Sequence, residues 1–181
     1  MPKALTLCGS IRKDSYNEIL RRYVSAKLSE AGVTVEDIDL ADYPMPVFNE
    51  DLEAEHTPEA AGVLAKKFGE ADIIFIASPE YNSGVTPLFI NTIAWLSRQK
   101  HGQFRHAVFG LAAVSSGKYG GVVGIAHMRD TLSKLGALLV PTLLGVGPAS
   151  EAFDENGVPT EASVLKKVDQ MVKELTQFRR A

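Results

Sequence analysis

The chain of 181 residues contains a single cysteine, Cys8. One cysteine cannot form an internal disulfide bond, and we therefore expect a reducing, cytoplasmic location. Apolar runs of transmembrane length are also absent, and the first residues lack the pattern of a signal peptide. Cys8 ends an apolar segment, so we expect a buried side chain and not a nucleophile.

An excess of positive charge is absent as well. The 19 Lys and Arg residues face 22 Asp and Glu residues, for a formal net charge of −3. This balance provides no basic surface for nucleic acid. The four histidines are scattered along the chain, so the sequence predicts no metal site. The length and the 45% hydrophobic content predict one compact domain over residues 1–181.

Two common nucleotide-binding motifs are missing. A Walker A motif requires Ser or Thr after Gly-Lys, but Gly117-Lys118 is followed by Tyr119. The dinucleotide motif G-x-G-x-x-G requires a second glycine two residues after Gly9, where the chain has Ile11. The sequence therefore excludes both of these phosphate-binding loops.

What is present is a regular alternation of strand-like and helix-like segments. We predict five strands, five helices between and after them, and loops at 41–55 and 145–159. This order predicts an α/β fold, a three-layer, doubly wound, five-stranded parallel sheet with the flavodoxin-like strand order 2-1-3-4-5. The predicted strands are 3–8, 33–38, 72–78, 106–114 and 138–144.

Three unusual loops follow strands one, three and four: loop 1 (residues 9–17), loop 2 (79–86) and loop 3 (115–121). In this fold ligands bind at the carboxyl ends of these strands. Loop 1 combines Ser, Asn and Arg donors with a helix start, which suits a phosphate. In loop 2 Tyr81 can pack on a flat ring, and Gly84 permits an unusual backbone angle. Each loop alone could be an ordinary solvated turn, but together they fit a mononucleotide with a planar ring.

These loops, together with residues 86–98, resemble the NADPH-dependent FMN reductase family, which includes quinone, azo-dye and chromate reductases. The matching motifs are Gly-Ser-x-Arg-x-x-Ser-x-Asn in loop 1 and Pro-Glu-Tyr-Asn in loop 2. The resemblance implies two groups of FMN-binding residues. The phosphate would be held by Ser10, Arg12, Ser15, Tyr16 and Asn17. The isoalloxazine ring would be lined by Pro79, Glu80, Tyr81 and Asn82, with Ser115, Ser116 and Gly117 across from them.

The helix after loop 2 departs from the family pattern. Members usually carry Lys and Asp where this chain has Ile90 and Ala94. The difference affects contacts around that helix and at the subunit interface that members form. The phosphate-binding and ring-binding positions are unchanged.

The resemblance implies an FMN-dependent NAD(P)H oxidoreductase that reduces quinones or similar small acceptors. Bound flavin would carry the chemistry without a catalytic side chain, and a shared ring face predicts a ping-pong mechanism. The preference for NADPH over NADH is expected on the basis of the resemblance alone. The alternatives are an electron carrier of the flavodoxin type and an FMN-binding protein without turnover.

We also predict a homo-oligomer, a dimer or a tetramer. The resemblance implies it, and the helix at 87–98 carries apolar residues on nearly every side. The alternative is that this helix is packed wholly inside its own domain.

Overall fold

A computed structural model describes residues 1–178; the last three residues of the predicted domain, 179–181, lie outside the described residues. All five strands are parallel, in the order β2-β1-β3-β4-β5, which confirms the predicted topology. The strands are β1 Lys3–Cys8, β2 Thr34–Ile38, β3 Ile73–Ala77, β4 Val108–Val114 and β5 Leu138–Val146. The helices are α1 Tyr16–Glu30, α2 Glu50–Glu55, α3 Glu59–Glu70, α4 Pro87–Ser97, α5 Val122–Lys134 and α6 Ala162–Gln177.

The sheet is covered on both faces, which explains its continuous apolar strands. Every residue of β3 is fully buried, as expected for a central strand between two helical layers. Helices α1 and α6 pack on one face through residues such as Leu20 and Met171. Helices α3, α4 and α5 pack on the other through residues such as Phe68 and Ile125. The predicted three layers are therefore present.

The segment predicted as a loop at 41–55 contains short helices instead. A 3-10 turn forms at Leu40–Asp42, and α2 forms at Glu50–Glu55. The side chain of Asn49 accepts a hydrogen bond from the N–H of Asp51 and so caps α2. Leu52 is the only large apolar residue of α2, so hydrophobic periodicity could not reveal this helix.

The same segment covers the side of α4 that carries Trp95. The indole N–H of Trp95 donates to the carbonyl of Pro46 over 2.7 Å, and the Phe48 ring packs edge-on against the indole. Asn91 accepts a hydrogen bond from the N–H of Phe48. Trp95 is therefore fully buried within its own chain. Ile90, which is 41% exposed, is the large hydrophobic residue of α4 that faces solvent.

No helix within residues 1–178 has the length and hydropathy needed to cross a bilayer.

Candidate functional site

The three loops meet at the carboxyl ends of the strands and form one cleft of about 270 Å³. Ten of the twelve residues predicted for the site line this cleft; Asn82 and Gly117 do not. Two further residues, Val114 and Ala149, were missed because neither side chain carries a chemical signal. The lining residues are Ser10, Arg12, Ser15, Tyr16, Asn17, Pro79, Glu80, Tyr81, Val114, Ser115, Ser116 and Ala149.

Loop 1 brings hydrogen-bond donors to the start of α1. Ser15 occupies the N-cap position, yet its hydroxyl makes no capping hydrogen bond to the helix. That hydroxyl is buried and lies 3.9 Å from the thiol of Cys8. The exposed Arg12 donates from its guanidinium to the carbonyl of Lys13 over 3.0 Å. A hydroxyl that does not cap the helix, a helix N-terminus and a guanidinium together suit an anion.

The side chain of Asn17, which is predicted to contact the phosphate, makes two hydrogen bonds to the backbone of β4. Its amide nitrogen donates to the carbonyl of Val114 over 3.0 Å, and its amide oxygen accepts from the N–H of Val114 over 2.8 Å. The side chain is buried. Asn17 therefore joins the start of α1 to the end of β4 and holds loop 1 beside loop 3.

Loops 1 and 2 are in direct contact. The N–H of Gly9 donates to the carbonyl of Ala77 over 2.9 Å, and the hydroxyl of Thr86 donates to the carbonyl of Gly9 over 2.7 Å. A Cβ at Gly9 would lie 2.1 Å from the Ser78 hydroxyl oxygen, so the approach requires glycine. Thr86 is absent from the predicted site, although Thr before Pro87 is a helix-cap signal.

Loop 2 contains a tight turn. Tyr81 and Gly84 exchange two backbone hydrogen bonds, and the residues between them, Asn82 and Ser83, have φ values of 50° and 57°. These values are typical of a type I′ turn. Gly84 would permit an unusual backbone angle, but the positive φ values fall on the two residues before it. The turn leaves the Tyr81 ring 45% exposed at the cleft.

The backbone of loop 3 is held against the end of β5. Gly120 has φ of 61° and closes a turn by donating to the carbonyl of Gly117 over 3.1 Å. A Cβ at Gly120 would lie 2.4 Å from the backbone nitrogen of Val146. Both the positive φ and the close approach exclude other residues at this position. The glycines of loop 3 thus allow it to pack on β5.

Cys8 lies beneath loop 1, where its thiol is expected to be unreactive. Burial raises the pKa of its thiol to about 11, despite a hydrogen bond from the backbone of Ser10 that lowers it. A thiol with this pKa has almost no thiolate at neutral pH. The expectation of a buried, unreactive cysteine agrees with this geometry.

A second cavity, of about 400 Å³, lies on the other side of loop 1 near the end of β2. It is larger than the cleft, but several of its charged side chains already pair with one another. Arg21 contacts both Glu18 and Asp37, and Arg22 also donates to Glu18. We regard this cavity as a solvated ion-pair groove, because its most buried cation already has partners.

Comparison with known proteins identifies the family. The model of the NADPH-dependent FMN reductase family matches residues 2–151. The chain belongs to this family. A quinone oxidoreductase of the NAD(P)H-dependent type from Solanum tuberosum is 37% identical over 176 residues, covering 92% of this chain and 87% of that protein. An NAD(P)H-dependent FMN reductase from Pseudomonas aeruginosa is 29% identical over 181 residues, covering 96% and 92%.

Solved structures agree with the fold of this FMN reductase family member. The flavoenzyme NAD(P)H:(acceptor) oxidoreductase FerB from Paracoccus denitrificans superposes with a TM-score of 0.82 at 24% identity, covering 99% of this chain and 100% of that chain. A flavodoxin from Streptococcus pneumoniae superposes with a TM-score of 0.63 at 14% identity, covering 97% of this chain and 98% of that chain. The predicted flavodoxin-like fold, enzyme class and FMN cofactor are thereby confirmed.

The residues of the cleft fit FMN. The start of α1, the Ser15 hydroxyl and the Arg12 guanidinium form a donor set for a phosphate dianion. Pro79 and Tyr81 offer flat or apolar surface on the ring side of the cleft. The cleft volume of about 270 Å³ lies just below the range typical of cofactor sites, about 300–1,000 Å³. A partly exposed ring would account for the small enclosed volume.

Proposed function

We propose that this family member is an FMN-dependent NAD(P)H oxidoreductase that passes electrons to quinones or similar small acceptors. The observation that carries the proposal is the meeting of a phosphate-binding donor set and two ring-side loops in one cleft. When bound, FMN supplies hydride acceptance from NAD(P)H and electron delivery to a second substrate. The protein then has to bind the flavin, orient it and shield it from water.

Each loop contributes a separate part of that task. The guanidinium of Arg12 offers a planar fork of hydrogen-bond donors that suits a phosphate at loop 1. Loops 2 and 3 both line the cleft, so a ring held between them would be shielded from water on the side that faces the protein. Any backbone N–H group of these loops that reached the ring would favour negative charge on it. No side chain is required to transfer a proton or form a covalent bond.

We further propose a ping-pong sequence in which the nicotinamide donor leaves before the acceptor binds. The proposal assumes that the cleft covers one face of a bound ring, so that both substrates have to share the face that stays open. Initial rates against NAD(P)H at several quinone concentrations should give parallel lines. Intersecting lines would show that both substrates bind together. Running the same series with NADH and NADPH gives the donor preference, for which we expect NADPH.

The main alternative is an electron carrier that exchanges electrons with partner proteins, and an FMN-binding protein without turnover is a second one. Carriers tend to be strongly acidic so that charge steers the encounter, whereas the net charge here is only −3. The test is to mix the protein, FMN, NADPH and a quinone and follow absorbance. Steady NADPH oxidation supports the enzyme, and its absence favours a carrier or a binding protein.

We also propose one FMN-binding domain over residues 1–181, a cytoplasmic location, and a homodimer or homotetramer. Trp95 is buried under residues 46–53 of its own chain. This burial weakens the argument that the apolar residues of α4 need another subunit to cover them. The exposed Ile90 and the 85% exposed Val47 remain as apolar surface on and beside α4. Light scattering at micromolar concentration tests the assembly, and the mass of one subunit would contradict it.

A further inference from the structure

The carboxylate of Glu80 contacts the helix that follows loop 3 and not only the cleft it lines. Its Oε2 accepts a hydrogen bond from the backbone N–H of Gly124 over 2.8 Å. Gly124 is the third residue of α5, one of the positions whose N–H has no partner inside its own helix. Loop 2 thus supplies a capping group to a helix 44 residues away along the chain.

Helix α5 cannot cap itself in the usual way. Its N-cap residue is Gly121, with φ of 75° and no side chain to accept a hydrogen bond. Most helices use Ser, Thr, Asp or Asn at this position. The Glu80 carboxylate takes over that role, and its negative charge lies at the positive end of the helix dipole.

The space around this contact is shaped for it. A Cβ at Gly124 would lie 3.1 Å from the Cβ of Glu80 and 3.2 Å from both its Cγ and the carbonyl oxygen of Gly84. A Cβ at Gly121 would lie 2.8 Å from the Cβ of Ala113. Gly124 therefore lets loop 2 rest directly on the first turn of α5, and Gly121 lets the start of α5, where loop 3 ends, approach β4.

From this geometry we infer that Glu80 is a positioning residue for the flavin ring, acting by fixing loop 2 to the helix behind loop 3. The inference rests on the proposed function, because loops 2 and 3 are the two walls of the ring site. If the distance between loops 2 and 3 is fixed before the ligand binds, less conformational entropy is lost on binding. The phosphate is held by loop 1, which Glu80 does not contact through this hydrogen bond.

This separation makes a specific prediction for two ligands. Glu80→Ala should raise the dissociation constants of FMN and riboflavin by the same factor, about tenfold, because both ligands carry the ring. The ratio of the two dissociation constants should stay at the wild-type value. Glu80→Gln keeps an oxygen acceptor for the Gly124 N–H, so we expect it to recover most of the affinity for both ligands.

The experiment is a fluorescence titration of FMN and riboflavin on the full chain. Asn49→Ala is the matched control, because it also removes a side-chain helix cap, at α2, but away from the cleft. It should lower the thermal midpoint and leave both affinities unchanged. Amide exchange at Gly124 without ligand gives a second readout, and it should be faster in Glu80→Ala than in Glu80→Gln.

Three results would overturn the inference: unchanged affinities in Glu80→Ala, a loss confined to FMN, or a Glu80→Gln variant as weak as Glu80→Ala. If the wild-type protein binds neither ligand, the proposed function fails instead. The two failures are therefore distinguishable.

Discussion

The hydroxyl of Thr86 donates to the carbonyl oxygen of Gly9 over 2.7 Å and accepts from the N–H of Phe89 over 3.1 Å. One buried side chain thus caps α4 and holds loop 1 against loop 2. Both loops line the cleft, so a fold-level contact sets the shape of the site.

Replacing Thr86 should destabilise the protein through both hydrogen bonds. Thr86→Val keeps the shape but leaves the Gly9 carbonyl and the Phe89 N–H unpaired, and we expect a loss of about 2–4 kcal/mol in the free energy of unfolding. Thr86→Ser keeps the hydroxyl and should lose less than about 1 kcal/mol. Urea unfolding measures both. Equal losses in the two variants would show that the hydroxyl is not the stabilising group.

Arg12 should discriminate between FMN and riboflavin. Arg12→Ala removes a charge-assisted hydrogen bond to the phosphate worth about 1.5–3 kcal/mol, so the dissociation constant for FMN should rise about ten- to a hundredfold. Riboflavin lacks the phosphate and should bind the variant as it binds the wild type. The neighbouring Lys13 lines the second cavity and not the cleft, so Lys13→Ala is the control. A variant Arg12→Ala that keeps the FMN preference would contradict the predicted phosphate site.

Gly9 should be replaceable only if Ser78 is changed with it. The Cβ of Gly9→Ala would lie 2.1 Å from Oγ and 2.5 Å from Cβ of Ser78, so loops 1 and 2 must separate. We expect a loss of about 2–4 kcal/mol in stability. The double variant Gly9→Ala/Ser78→Gly removes both close atoms and should recover much of that loss. A double-mutant cycle measures the coupling between the two substitutions. If their effects on the free energy of unfolding simply add, the clash with Ser78 is relieved in some other way.

The sequence predicts the strands because their signal is local. Ile73–Ala77 is a continuous apolar run, and burial on both faces is the only arrangement that satisfies it. Loop 1 could likewise be identified from adjacent residues. The cover over Trp95 could not, because Pro46 and Phe48 reach α4 across more than 40 residues. The same holds for Asn17, whose partner Val114 lies 97 residues further on.

Residue types also do not reveal which residues of loop 2 adopt a positive φ. Gly84 would permit an unusual angle, but positive φ falls on Asn82 and Ser83. The position of a type I′ turn follows from which residues form the closing pair, here Tyr81 and Gly84. That pairing is a property of the folded loop and not of its residue types.

Cys8 should be unreactive and dispensable. Because burial raises the pKa of its thiol to about 11, alkylation by iodoacetamide at pH 7 should be negligible in the folded protein and rapid in urea. Cys8→Ala should keep the NADPH-dependent turnover of the wild type, since no step of the proposed reaction uses a thiol. Labelling followed by mass spectrometry checks the first point. Fast labelling of the folded protein would mean that the site beneath loop 1 opens readily.

Glu174 should make stability depend on acid pH. It is 7% exposed, and it accepts hydrogen bonds from the N–H of Thr142, at 3.0 Å, and from the hydroxyl of Thr142 and the amide of Gln170, both at 2.8 Å. Burial raises the pKa of this carboxyl, but the three hydrogen bonds outweigh burial and lower it below its ordinary value of 4.5. A lowered pKa means that the folded state favours the charged form. The stabilisation is therefore complete above the ordinary value and is lost as the pH falls through the folded-state value.

Glu174→Gln isolates this contribution. At pH 7 the variant should be about 1–3 kcal/mol less stable than the wild type, because the amide cannot accept all three hydrogen bonds. The difference should shrink as the pH is lowered below the ordinary value of 4.5 and the wild-type carboxyl also becomes neutral. Glu18, Glu36 and Asp37, whose pKa values are lowered too, are present in both proteins and cancel in the comparison. Urea unfolding across this pH range measures the difference, and a constant gap would show that the charge of Glu174 does not stabilise the junction of α6 and β5.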